Sequence, residues 1–60
     1  MHLLRRVERH LSASGTSPSR FGRDAVGDPG FVADLRSGRQ PRAATVDRIT
    51  AFLDEREGPG

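Results

Sequence analysis

Every apolar cluster in this chain recurs at helical spacing, and no stretch alternates with the period of two that a half-buried strand requires. Leu3, Leu4, Val7 and Leu11 fall on one face at spacings of three, four and eight, with Arg5, Arg6, Glu8 and Arg9 elsewhere. Phe21, Ala25 and Val26 form a second cluster, and Val32 and Leu35 lie one turn apart with Phe31 beside them. Val46 is followed at three, six and seven by Ile49, Phe52 and Leu53. Four such stripes confine the fold to the all-α class.

The residues between the stripes set the helix ends. Ser14-Gly15 stops the first helix, glycine being the residue that takes a left-handed C-terminal cap at little cost. Ser17 before Pro18 reads as a cap followed by proline at the first helical position, where its missing N–H does no harm. Asp28 before Pro29 repeats that grammar, so Val26-Gly27 is expected to make the turn and a third helix to run over about 28–37, with Gly38 past its end. Gln40-Pro41 is a connector into a fourth helix reaching about Glu55. The expected organisation is a single domain over 1–55, a compact bundle of four short helices, with 56–60 as a flexible tail.

Size limits what such a bundle can be. A 60-residue chain buries only ~60% of its unfolded surface, so the core is thin. Without Cys there is neither a disulfide nor a thiolate metal site to staple it. His2 and His10 stand eight apart with no third ligand, so no metal or other cofactor is expected. The serines fall in caps and loops with no base in a recognisable pattern, which argues against catalysis and against a small-molecule substrate. No apolar run suits a membrane span, and Leu3-Leu4 before Arg5-Arg6 is too short for a signal-peptide core, so the chain is expected in the cytoplasm.

All ten basic residues are Arg, set against eight acids, for a net charge of +2. The positive charge is concentrated in the first two thirds of the chain, while residues 43–60 hold only Arg48 and Arg56 against four acids. Within the positive part, Gly22 follows Phe21, Val32 comes eleven residues after Phe21, and Leu35 and Gly38 follow at intervals of three. A helix-turn-helix needs such an arrangement: two helices crossing steeply, a minimal residue where the second approaches the first, and apolar residues locking them together.

Taken jointly, SPSRFGRDAVG, DPGFVADLRSG, GRQP and ATVDRITAFL resemble the lambda-repressor-like (Cro/C1-type) helix-turn-helix family over roughly residues 3–53. The resemblance implies a small transcription regulator, bacterial or phage, associated with the nucleoid. Its third helix would lie in the major groove of double-stranded DNA. It further implies that Ser17, Ser19 and Arg20, at the start of the second helix, lie near the phosphates of one strand. Arg36, Ser37, Arg39, Gln40 and Arg42 would hold the backbone on the other flank.

The base-facing set would be Asp28, Gly30, Phe31 and Asp34. A carboxylate accepts from cytosine and an aromatic edge touches a thymine methyl, so direct readout is expected to be sparse. Phe31 also suits the core, and Asp34 is as well suited to pairing with a nearby Arg. A lone module buries little surface on DNA, which makes a homodimer or a co-bound regulator the expected partner. A reading of a different class is a protein-interaction module, an adaptor or anti-repressor, with Asp28 and Asp34 as its acidic face.

Overall fold

A computed structural model of the protein describes residues 3–57. Helix α1 spans Leu3–Ser14, α2 Pro18–Val26, α3 Phe31–Arg36 and α4 Ala43–Glu57, with no strand among the described residues. The all-helical, four-helix architecture expected from the apolar spacing is the one observed. His2 and residues 58–60 lie outside the described range.

The core is made by the residues the stripes mark. Val7 and Leu11 of α1, Phe21 and Ala25 of α2, Phe31 and Val32 of α3, and Ile49 and Leu53 of α4 are buried together, with Leu3, Val26, Leu35 and Phe52 packed at its margin. No polar or charged residue is buried among those described. Phe21 is the hub: its ring meets Phe52 edge-on at 5.4 Å and the His10 imidazole at 5.5 Å. Edge-to-face pairs of this kind add about 0.5–1.5 kcal/mol to simple area burial.

At the start of α2, the Ser17 hydroxyl accepts a hydrogen bond from the Arg20 N–H at 3.2 Å, and Pro18 occupies the first turn. At its end, Gly27 adopts φ 72°, and its N–H donates to the Arg23 carbonyl at 2.9 Å. This left-handed cap turns the chain toward α3. The next N–H, that of Asp28, reaches back to the Gly22 carbonyl at 3.1 Å. Gly22 is itself buried, and a Cβ built on it would lie 2.2 Å from the Asp28 carbonyl oxygen. The sequence singled out this glycine as the place of closest approach, and backbone does pass directly over it.

Two boundaries differ from expectation. Helix α3 begins at Phe31 rather than Asp28 and is six residues long. The Asp28 carboxylate accepts from the Gly30 N–H at 2.9 Å, and its carbonyl accepts from the Phe31 N–H at 3.1 Å. The aspartate therefore holds a turn through Pro29 and Gly30, and Gly30 is the residue that caps the helix. The second difference is at the C-terminal end, where α4 continues through Arg56 and Glu57. Both residues are tied down: the Arg56 guanidinium lies 4.6 Å over the Phe52 ring, and Glu57 accepts from Arg6 at 3.2 Å.

Candidate functional site

The residues expected to meet a ligand derive from three places: the start of α2, the turn into α3, and the connector between α3 and α4. The connector is open to solvent. Arg39, Gln40 and Arg42 are exposed, and they line with Phe31, Asp34 and Leu35 an open cleft of about 380 Å³. Within it the Arg39 guanidinium approaches the Asp34 carboxylate at 3.5 Å. Arg42 has no carboxylate partner among the described residues.

Arg36 is held differently. Its Nε and one terminal nitrogen each donate to an oxygen of Glu8 at 2.7 Å, a bidentate clamp between α3 and α1. Hydrogen bonding to Arg36 holds the Glu8 carboxyl below its ordinary range and raises Arg36 in turn. A second interhelical clamp joins α1 to α4, where Arg6 donates to Asp54 and Glu57 and is itself raised by those hydrogen bonds. Arg36 was expected on a phosphate flank with its charge free; a carboxylate of this chain occupies its fork.

Of the expected base-facing set, Phe31 takes the other role the sequence offered it, in the core, and does not face outward. It is 6% exposed and packed in the core, because α3 starts at this residue and turns its first apolar side chain inward. Asp28 remains exposed but spends one carboxylate oxygen on the Gly30 N–H, and Gly30 is half-buried. Asp34 is half-buried and shared with Arg39, and its carbonyl accepts from the Ser37 hydroxyl at 2.7 Å. The solvent side of α3 is short, with Ala33, Asp34 and Arg36 as its outward residues.

At the start of α2, Ser17, Ser19 and Arg20 are all exposed, with the Ser17 hydroxyl engaged as the cap. Arg20 lies 3.7 Å from Asp24, one turn on. It faces a second cleft, of about 440 Å³, which shares no lining residue with the connector cleft. Beside Arg20 stand His10, Ser14 and Thr16 from the α1 end, and Phe52 and Arg56 from α4. Sequence reasoning gave His10 no part in a site and left Arg56 in a tail. The four-residue step from Phe52 to Arg56 is a helical spacing that marks a cation over a ring, and it was the available signal.

Among the described residues, no group of three His, Asp or Glu is placed to hold a metal ion, and no helix is long and apolar enough to cross a membrane. Comparison with protein-family models, with curated proteins and with solved structures finds no match.

Proposed function

We propose that the chain is a small DNA-binding regulator of helix-turn-helix type, with α2 and α3 as the motif and the connector as its basic flank. The observation that carries this reading is the backbone of Asp28 lying against Gly22, where a Cβ would stand 2.2 Å from a carbonyl oxygen. Only a side-chain-free residue permits this approach, and the same Cβ would meet that of Phe31 in α3 at 3.2 Å, which supports a close crossing of the kind the motif needs. The lambda-repressor-like resemblance of residues 3–53 points the same way.

Arg39, Gln40 and Arg42 then follow the backbone of one strand, and Ser19 and Arg20 that of the other. With Phe31 in the core, base contact falls to Asp28, Asp34 and the exposed Ala33, so most of the affinity is electrostatic and specificity depends on DNA shape. A homodimer or a co-bound regulator supplies the remaining surface.

The test is binding to random duplex DNA across a salt series, for the wild type and for Arg39→Ala/Arg42→Ala. Loss of the two contacts lowers the salt slope by about 1.8, from about 0.9 for each phosphate neutralised. No binding at low salt, or an unchanged slope in the double variant, would sink the reading.

One observation favours a protein-interaction module instead. Leu3, Leu4, Leu35, Pro41 and Val46 are only half-buried and line a cleft of about 410 Å³, while Arg20, Arg36 and Arg39 all have carboxylates of this chain beside them. An adaptor using that apolar cleft and the acidic Asp28 and Asp34 would bind protein and ignore DNA.

A further inference from the structure

We infer that the cleft at the junction of α1, α2 and α4 is a phosphate site, held by Arg20 of α2 and Arg56 of α4 beside the Phe21 and Phe52 rings. Two guanidinium-bearing side chains line it, together with His10 and the hydroxyl residues Ser14 and Thr16. The only acid lining it is Asp24, which stays 3.7 Å from Arg20, with both side chains largely in water. A pair that loose costs little to separate. Arg56 has no carboxylate partner among the described residues, and it is fixed instead by the Phe52 ring at 4.6 Å. The ring orients the guanidinium and leaves its N–H groups free to donate.

One of the two hydroxyls can donate to an anion. Ser14 and Thr16 hydroxyl oxygens are 2.8 Å apart, and Ser14 already donates to the His10 carbonyl. The Thr16 hydroxyl is then the donor toward Ser14, and rotation about its C–O bond redirects that proton to an anion. Phosphate suits this set better than carboxylate does, because it offers enough acceptor oxygens for two guanidinium groups and a hydroxyl at once. The half-buried faces of His10 and Phe52, both packed on Phe21, leave apolar ring surface beside the anion for a base or sugar.

The phosphate has two sources, a nucleic-acid backbone or a free nucleotide. The first rests on the DNA reading above, and extends the phosphate contacts at the start of α2 onto α1 and α4. The second stands without it.

The experiment follows the Arg20 and Arg56 Nε resonances of the full chain by NMR during titration with inorganic phosphate, adenosine monophosphate and a random duplex. Arg56→Ala and Asp24→Asn are titrated alongside. Saturable shifts at both guanidiniums are expected, with adenosine monophosphate binding tighter than inorganic phosphate. Affinity falls about fivefold in Arg56→Ala and rises in Asp24→Asn, the scale of one exposed charge contact. Asp24→Asn removes no core contact, so its gain cannot be mistaken for unfolding. No saturable shift with any of the three, or affinities unchanged in both variants, overturns the site. Duplex binding that is unchanged in Arg56→Ala, with no saturable nucleotide binding, overturns the site and leaves the DNA reading standing. Nucleotide binding without duplex binding supports the site and removes that reading.

Discussion

The Gly22 α-carbon and the Asp28 carbonyl oxygen are so close that a single methyl group on Gly22 would stand 2.2 Å from that oxygen. The obstacle is backbone, pinned by the Asp28 N–H on the Gly22 carbonyl and the Phe31 N–H on the Asp28 carbonyl, so it cannot swing aside as a side chain would. Gly22→Ala is therefore expected to lose about 1–3 kcal/mol or more, from a total of only ~3–9 kcal/mol for a chain of this size. The control is Gly30→Ala, where the added carbon meets only the Asp28 carboxylate at 3.4 Å and the backbone is already helical. That variant stays within about 1 kcal/mol of the wild type. Urea unfolding followed by circular dichroism separates the two, and equal stability of both variants would contradict the close crossing.

The Glu8–Arg36 clamp makes part of the stability pH-dependent. Hydrogen bonding to Arg36 depresses the Glu8 carboxyl in the folded chain, so folding favours the charged form. The resulting stability is present in full above the ordinary glutamate range, near pH 4.3, and is lost as pH falls through the lower folded value. Thermal unfolding from pH 7 to pH 2.5 should show a loss in the wild type. In Glu8→Gln the pH 7 midpoint is lower and the acid-dependent loss is smaller. An identical acid profile in the two proteins would show that the clamp does not form in solution.

Phe31 and Asp34 separate the core from the surface of α3. Phe31→Ala empties a buried aromatic site and is expected to cost about 3–5 kcal/mol, enough to unfold much of the population. Asp34→Ala removes a half-exposed partner of Arg39, at 3.5 Å, and is expected to leave stability nearly unchanged. If the chain binds DNA, the same change frees Arg39 and strengthens binding at low salt. A folded Phe31→Ala protein with native stability would place that ring at the surface, in the base-facing role the family resemblance implies.

Period and punctuation made the four helices legible, because an apolar stripe has no other means of being buried and glycine past a stripe has few other uses. Gly22 was legible for the same reason: a side-chain-free residue next to Phe21 has a packing role. The turn through Asp28-Pro29-Gly30 was not, since Asp-Pro serves equally as a helix start and as a turn, and the Asp28 side chain decides by bonding the Gly30 N–H. The Arg pairings split similarly. Arg20 with Asp24 and Arg39 with Asp34 are local, whereas Arg36 with Glu8 spans 28 residues and Arg6 with Asp54 spans 48. Such pairs depend on how α1 docks, which no local pattern encodes.

Glu8 also sets how much positive charge the connector flank can offer. A phosphate reaching Arg36 must displace a bidentate carboxylate at 2.7 Å, so this chain's own glutamate occupies the guanidinium fork that a DNA backbone would use. Glu8→Gln removes the competing charge and raises the net charge by one. On the DNA reading it binds random duplex more tightly at low salt, and the salt slope steepens by about 0.9 as Arg36 gains a phosphate. Arg36→Ala in the same background returns the slope to the wild-type value, which assigns the gain to Arg36 rather than to overall charge. A gain in Glu8→Gln that persists in Glu8→Gln/Arg36→Ala would mean that Arg36 never meets the backbone, and the basic flank would then begin at Arg39.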